Sequence, residues 1–362
     1  MSPVPTITEV RARSVLAPLS RPLRTASGSI PAAPLLLLDV RTDADVVGHA
    51  WLFGYAAETL APMAALVEQI APSLVGQPLV PVQRMRDFEA RFRLLGMQGL
   101  LGMVVAGIDM ALWDALGKVL DQPVASLLGG APVALRAYDS FGMVDPVKDE
   151  ALLRKSVEAG FTGIKIKLGY PDLAQDVAIT GGVREIIGPD VELMVDFNQS
   201  LDPPEACRRI QRLEGFNLYW VEEPVAAADL AGHALVRRRT GARVQTGENW
   251  WFPRGLQAAI SASACDFAML DIMKIGGVTG WMGAVGLAEG ASLPVSSHLF
   301  VEASAHTLAV TPTADWLEYL DLAGPVLTNP CRPVDGYVTA AGPGLGITWN
   351  EPAIAEFRRL TG

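Results

Sequence analysis

The sequence is poor in cysteine and in basic residues, and each shortage excludes a class of protein. Its 362 residues include three cysteines, spaced far apart, so neither a disulfide scaffold nor a cysteine zinc site is predicted, and a cytoplasmic location is expected. Lysine and arginine total 29 against 39 aspartates and glutamates, a formal net charge of −10. Nucleic acids and anionic membranes bind concentrated basic surfaces, so the expected partner is instead a small-molecule carboxylate held at a local positive site.

The sequence also lacks an apolar run that predicts a membrane span. The most apolar window, residues 94–108, contains Gln98 and stops at Asp109. Residues 1–19 have scattered polar residues and prolines in place of a basic segment followed by an apolar stretch, so no secretory signal is expected. Hydrophobic residues nevertheless make up 50% of the chain, which favours extra surface buried between subunits of a homo-oligomer.

Two patterns of secondary structure divide the chain. Residues 1–130 combine two apolar strands, a stretch rich in Gly, Ser and Pro, and three segments with helical spacing, which predicts an α+β capping domain with a mobile flap at about 20–33. In residues 131–325, short apolar strands alternate with helical segments, the pattern of a parallel βα barrel. Residues 326–362 are expected to pack back on the capping domain. We place the eight barrel strands at 135–140, 163–168, 192–196, 219–222, 244–248, 267–271, 294–298 and 316–319.

Three carboxylates follow consecutive predicted strands, at the end of the barrel where active sites are assembled. Asp196, Glu222 and Glu248 would converge in a small volume, which their repulsion forbids unless a cation neutralises them. Any one of them alone would more commonly be a helix cap or a surface charge. Oxygen ligands without a neighbouring His or Cys predict Mg²⁺, with Mn²⁺ as a substitute. The adjacent Glu223 should point to the other face of its strand and form a structural ion pair.

Basic groups occupy other strand ends. Lys165 and Lys167 share one side of the second strand, and each should lower the pKa of the other, leaving one as a base and one to bind a carboxylate. Asp271 and His298 end neighbouring strands, and the carboxylate would fix the imidazole tautomer and raise its basicity. A base on each face of a carbon can racemise that carbon.

Glu318 ends the eighth predicted strand among apolar neighbours. Such surroundings favour a protonated carboxylic acid that donates a hydrogen bond to a developing enediolate. The other histidines, His49, His233 and His306, have no comparable partner nearby in the sequence and are expected to be structural.

Six sequence motifs carry a resemblance to a known family: 165–167, 195–200, 221–224, 247–250, 274–281 and 296–300. In order and over essentially the whole chain they resemble the mandelate racemase subgroup of the enolase superfamily. This resemblance implies a modified TIM-type (β/α)7β barrel with an N-terminal α+β capping domain, and commonly an octamer. It also implies Mg²⁺ ligation by Asp196, Glu222 and Glu248, with Lys167 and the His298–Asp271 dyad as opposed bases.

The resemblance extends to the substrate pocket. It implies that Lys165 and Ser140 contact the substrate carboxylate, that Asn198 donates a hydrogen bond, and that Glu318 is the acid supporting the enediolate. The flap would close over the barrel mouth and select the substrate. Further pocket residues are expected to be Leu23, Arg24, Ser27, Ile30, Phe53, Tyr55, Leu299 and Leu320.

The activity implied is racemisation of a 2-hydroxy carboxylate, mandelate or an aryl or unsaturated relative, through a metal-stabilised enediolate. Three positions depart from the pattern of the subgroup: Arg24 and Phe141 stand where the resemblance implies histidines, and Ser27 is smaller than expected for a hydrophobic flap. These departures leave the identity of the substrate open and the proton-abstraction groups unchanged. Arg24 could bind a second carboxylate or a polyol. The alternative is an acid-sugar dehydratase, which eliminates a beta-hydroxyl with the same groups. A non-catalytic acid-binding barrel would lack a member of this set, and none is missing.

Overall fold

The computed structural model describes residues 4–25 and 28–358. The N-terminal part is an antiparallel sheet in the order β1-β2-β3, covered by helices. Its elements are β1 (Ile7–Thr25), β2 (Gly28–Thr42), β3 (Val47–Phe53), α1 (Leu60–Ile70), α2 (Pro81–Arg91), α3 (Gly99–Val119) and the short α4 (Val124–Leu127).

Helix α3 is the core helix of this part. By length and composition it could cross a membrane, but 83% of its most apolar window is buried inside the fold. A helix that is apolar on all sides needs neighbours on all sides. Strand β3 and helix α1 contact it within the capping part, and a helix of the barrel contacts it from outside.

The second part is a barrel of eight parallel strands joined by seven helices. Hydrogen-bonded neighbours run in the order β10-β9-β8-β7-β6-β5-β4-β11, and the amide of Ser297 donates to the carbonyl of Trp316, 3.1 Å away, where β10 meets β11. The predicted barrel with a capping domain is confirmed. Its strands are β4 (Ala134–Ser140), β5 (Gly163–Lys167), β6 (Glu192–Asp196), β7 (Leu218–Glu222), β8 (Val244–Thr246), β9 (Phe267–Asp271), β10 (Val295–His298) and β11 (Leu317–Tyr319). Its helices are α5 (Glu150–Glu158), α6 (Leu173–Ile187), α7 (Pro203–Leu213), α8 (Leu230–Thr240), α9 (Phe252–Ala262), α10 (Gly277–Gly290) and α11 (Val301–Leu308).

The C-terminal segment contacts both parts. Strand β12 (Tyr337–Thr339) pairs antiparallel with β4 of the barrel. Helix α12 (Glu351–Phe357) lies against β1, where Arg13 Nη1 is 2.7 Å from Glu351 Oε2. From the sequence, only the contact with the capping domain is expected.

Two buried carboxylates of α3 fasten the capping part to the rest of the chain. Asp109 accepts hydrogen bonds from the amide (2.9 Å) and the hydroxyl (2.5 Å) of Thr279, in the first turn of α10. Asp114 accepts from the amide of Leu345, 2.6 Å away, and from that of His49, 2.7 Å away. The bonds to Thr279 and Leu345 cross to the rest of the chain, so buried hydrogen bonds as well as apolar packing fix the orientation of the capping part.

The flap is the end of a long β-hairpin, so the expectation that the strands stop before it was wrong. Leu23 pairs with Ile30, and pairing continues to the last described residues on either side. Between Pro18 and Leu23 the register shifts, so that four residues of β1 face one residue of β2. Prolines at positions 22 and 31 cannot donate backbone hydrogen bonds, which accounts for the break. Ser27 lies outside the described residues.

A buried carboxyl joins α11 to the capping part and carries a pH prediction. Trp51 stacks on Phe300, with ring centroids 4.3 Å apart, and its indole nitrogen donates to Glu302 Oε2 at 3.3 Å. Burial raises the pKa of Glu302 to about 7, although the bond from Trp51 acts in the opposite direction.

A raised carboxyl pKa means that the folded chain binds a proton that the unfolded chain releases, so stability falls as pH rises from about 4.5 to 7. The loss attributable to Glu302 is about 3 kcal/mol. We expect Glu302→Gln to remove this loss. In urea unfolding, the free energy of unfolding of the variant relative to that of wild type should therefore rise between pH 5 and pH 8. A constant difference between the two proteins at both pH values would contradict the prediction.

Candidate active site

The C-terminal ends of the barrel strands and the flap enclose a cavity of about 420 Å³. Its volume lies in the range of small-ligand sites. Six of the predicted pocket residues line it with largely apolar surface, called here the apolar wall, contributed by the flap, the capping part and the barrel: Leu23, Ile30, Phe53, Tyr55, Leu299 and Leu320. Three further apolar residues line it that were not predicted from the sequence, Leu168, Phe197 and Leu322.

The three predicted metal ligands lie at the ends of adjacent strands. Asp196 and Glu222 close β6 and β7 and are paired in register, and Glu248 follows β8 by two residues. All three are buried. Among the described residues, no three His, Cys, Asp or Glu side chains stand in a ready metal-binding arrangement. Instead each carboxylate has a basic neighbour: Lys167 beside Asp196, Lys165 beside Glu222 and His298 beside Glu248.

The charges around the cavity do not balance. Glu223 is fully buried, and its Oε1 accepts from Asn249 at 2.9 Å while its Oε2 has no hydrogen-bond partner. The predicted ion pair for Glu223 is therefore wrong, and burial together with nearby Glu248 raises its pKa well above the usual range. Burial also raises the pKa of Glu222 to about 8. If all six acids and four bases were ionised, two negative charges would remain, and one divalent cation would neutralise them. The acids are Asp196, Glu222, Glu223, Glu248, Asp271 and Glu318, and the bases are Lys165, Lys167, Lys274 and His298.

The two lysines of β5 are held by carboxylates. Lys165 Nζ lies 2.7 Å from Glu222 Oε1 and 2.8 Å from Glu318 Oε1, and Lys167 Nζ lies 2.7 Å from Asp196 Oδ2. Burial alone would lower both lysine pKa values, but the carboxylates outweigh it, and the pKa of Lys165 is raised well above its usual range. The expectation that each lysine lowers the pKa of the other was wrong in its net direction, because the carboxylates raise both pKa values by more.

The His298–Asp271 dyad forms as predicted. His298 Nδ1 lies 2.6 Å from Asp271 Oδ2, and Asp271 Oδ1 accepts from the amide of Met273 at 2.7 Å, which fixes the carboxylate. Nε2 is then the nitrogen that faces the cavity, 3.2 Å from Glu248 Oε2. Burial lowers the pKa of His298, but Glu248 and Asp271 raise it to about 9. The expected gain in basicity is therefore present.

Glu318 is ionised in this structure, which corrects the protonated state expected from its apolar neighbours. Burial would raise its pKa, but Lys165 and His298 bring the pKa down to about 2. The amide of Leu299 donates to Glu318 Oε2 at 2.9 Å. The carboxylate is therefore an acceptor here.

The remaining predicted polar contacts divide into two groups. Ser140 and Asn198 line the cavity, and Asn198 Oδ1 accepts from Lys167 Nζ at 2.6 Å. Arg24 does not line it: its guanidinium is paired with Asp149, on the wall of a separate cavity beside Tyr170. The structure thus places Arg24 at the flap's outer contact with the barrel.

Lys274 is a charged residue of the site that the sequence analysis left without a role. It is buried, its Nζ donates to Asn249 Oδ1 at 2.6 Å, and it lies 4.7 Å from the ring centre of Tyr55. Asn249 in turn donates to Glu248 and Glu223. The motif 274–281 was the available signal, because it places a lysine three residues after Asp271.

A parallel barrel whose strand ends gather acids, two lysines and a His–Asp dyad beneath a capping domain defines a class of barrel enzymes. Comparison with known families gives the particular one. Residues 7–129 match the mandelate racemase / muconate lactonizing enzyme N-terminal domain, and residues 148–353 match the enolase C-terminal domain-like family. The chain belongs to the mandelate racemase/muconate lactonizing enzyme family of the enolase superfamily.

Similar proteins carry the names of several reactions. An enolase from Bradyrhizobium, crystallised with magnesium and mandelic acid, is 54% identical, with a TM-score of 0.98 over 99% of this chain and all of that one. The D-galactarolactone cycloisomerase of Agrobacterium fabrum is 32% identical over 97% of this chain and 98% of its own length. The L-talarate/galactarate dehydratase of Salmonella typhimurium is 32% identical over 72% of this chain and 66% of its own length.

Proposed function

We propose that the chain racemises a 2-hydroxy carboxylate with an aryl or unsaturated side chain, mandelate or a relative of it. The observation that carries the proposal is that the cavity is lined both by the apolar wall and by charged groups at the barrel strand ends, called here the floor. An aryl ring is buried favourably against such a wall, whereas a polyol there would leave hydroxyl groups without partners. The Bradyrhizobium protein crystallised with mandelic acid supports the same substrate class.

The residues present suit a magnesium site. Asp196, Glu222 and Glu248 would hold Mg²⁺, in keeping with their oxygen ligands, the surplus of negative charge and the unpartnered oxygen of Glu223. Magnesium is also present in the crystals of the Bradyrhizobium protein. The chemistry that Mg²⁺ supplies when bound is Lewis-acid polarisation of the substrate carboxylate.

The chain's own groups move the proton. Lys165 and Ser140 orient the substrate carboxylate from the cavity floor. Lys167 takes the alpha proton from one face, the electron pair of the C–H bond passes into the carboxylate, and Nε2–H of His298 returns a proton to the other face. Lys167 must first be neutral, so it has to give up its contact with Asp196, which is the change expected when Asp196 ligates a cation.

The second candidate function is dehydration of an acid sugar. Three polar side chains, Ser140, Asn198 and Ser200, line the same cavity and could bind hydroxyl groups, and a relative 32% identical to this chain is named a dehydratase. The same bases would then remove the alpha proton while a beta-hydroxyl leaves as water.

A substrate panel tests the proposal. We expect ¹H NMR in D₂O with Mg²⁺ to show loss of the alpha-proton signal of (R)- and (S)-mandelate, with racemisation, while sugar acids stay unchanged. Formation of a 2-keto-3-deoxy product from a sugar acid, with mandelate untouched, would contradict the racemase and support the dehydratase.

A further inference from the structure

The register break in the flap hairpin directs one side chain toward the barrel. Arg21 lies among the four residues of β1, Leu19–Pro22, that face a single residue of β2. Bulges of this kind turn a side chain out of the plane of its own sheet. The side chain of Arg21 accordingly reaches the end of barrel strand β4.

Arg21 makes several contacts there. Its guanidinium is bidentate to Asp139, with Nη2–Oδ1 at 2.8 Å and Nη1–Oδ2 at 3.3 Å, and Nη2 also donates to the carbonyl of Ser140 at 2.7 Å. The same guanidinium lies 3.8 Å from the ring centre of Phe141. Asp139 is fixed in turn, since it accepts from the hydroxyl of Ser156. Planar bidentate pairing combined with stacking requires arginine, and lysine cannot reproduce it.

A second contact lies on the far side of the flap strand. The amide of Met143 donates to the carbonyl of Arg24 at 2.8 Å, and Gly142 packs so closely that a Cβ there would lie 2.2 Å from the same carbonyl oxygen. The flap therefore touches the chain on both sides of the Ser140 peptide. Leu23, on the apolar wall of the cavity, lies between Arg21 and Arg24.

We propose that Arg21 is a positioning residue, which fixes the base of the flap to the end of β4 and so sets the distance between Leu23 and Ser140 across the bound substrate. The inference rests on the proposed function in one respect, that Ser140 contacts the substrate carboxylate. Arg21 itself touches no substrate. Its loss should weaken substrate binding while the bases, on β5 and β10, keep their places.

The test compares Arg21→Met with Arg13→Met. Arg13 is a matched control because it lies on the same strand, is similarly half-buried and also pairs with carboxylates, Asp39 and Glu351, away from the cavity. We expect Arg21→Met to raise KM about ten- to hundred-fold, the loss of a charge-assisted hydrogen bond, with kcat changed by less than about threefold. Arg21→Lys should fall in between, and Arg13→Met should leave KM unchanged.

A second readout does not depend on the reaction. Hydrogen exchange of the flap amides in residues 20–25 and 28–33 should be faster in Arg21→Met than in wild type, and unchanged in Arg13→Met. Equal KM values and equal exchange in the two variants would overturn the role of Arg21. If wild-type protein were inactive on the whole substrate panel, the proposed function would be overturned instead. Faster hydrogen exchange of the flap in Arg21→Met would still support the proposal that Arg21 fixes the flap to the end of β4.

Discussion

Lys167→Ala is expected to abolish exchange of the alpha proton from one enantiomer of mandelate and to leave exchange from the other in place. The reason is that each base reaches one face of the substrate carbon: Lys167 ends β5, and His298 ends β10, three strand positions away around the barrel. A positioned general base contributes about 10²–10⁴-fold to rate. Racemisation, which needs both bases, should fall by at least that factor.

His298→Asn should give the complementary result, with exchange into D₂O surviving only from the enantiomer that Lys167 serves. The measurement is ¹H NMR of each pure enantiomer with each variant and Mg²⁺. Lys155→Ala, a change at an exposed lysine of α5, is the control, and it should exchange the alpha proton of both enantiomers. Loss of exchange from both enantiomers to the same extent in each variant would contradict the two-base assignment.

Removal of divalent cations is expected to abolish turnover. Without a cation, the surplus negative charge of the floor repels the substrate carboxylate, and nothing neutralises the charge that develops when the alpha proton leaves. Dialysis against a chelator should bring the rate below detection, and Mg²⁺ or Mn²⁺ should restore it.

Thermal unfolding separates binding from activity. Mg²⁺ should raise the unfolding temperature of wild type and should fail to do so for Glu222→Gln, because a ligand stabilises only the state that binds it. Glu192→Gln is the matched control, since Glu192 lies at the opposite end of the neighbouring strand β6. Full activity in metal-depleted protein would require another explanation for the carboxylates.

The barrel and its strand-end residues could be predicted from sequence because short apolar strands recur and have ionisable residues at or next to their C-terminal ends. The protonation states could not. They depend on distances that strand order does not give, such as the position of Lys165 between Glu222 and Glu318. Once that position is known, the high pKa of Lys165 follows from Glu222 and Glu318, and the low pKa of Glu318 follows from Lys165 together with His298.

The errors on Glu223 and on the flap have local causes. Alternation along a strand predicts opposite faces for Glu222 and Glu223, but β7 ends at Glu222 and Glu223 has a φ of +38°, so the rule no longer applies. The prolines at positions 22 and 31 interrupt the strand pattern where the hairpin register shifts. There the sequence indicates a loop, although pairing resumes beyond the break.

The buried carboxylates of α3 limit how substrate can reach the site. Lifting the capping part as a rigid body would pull Asp109 away from Thr279 and Asp114 away from Leu345, breaking buried hydrogen bonds at a cost of about 1–3 kcal/mol each. The contacts that hold the flap lie nearer the surface, since the side chains of Arg21 and Arg24 are 29% and 45% exposed. We therefore expect substrate to enter and leave through movement of the short hairpin end, while the contact between the two parts stays closed during each turnover.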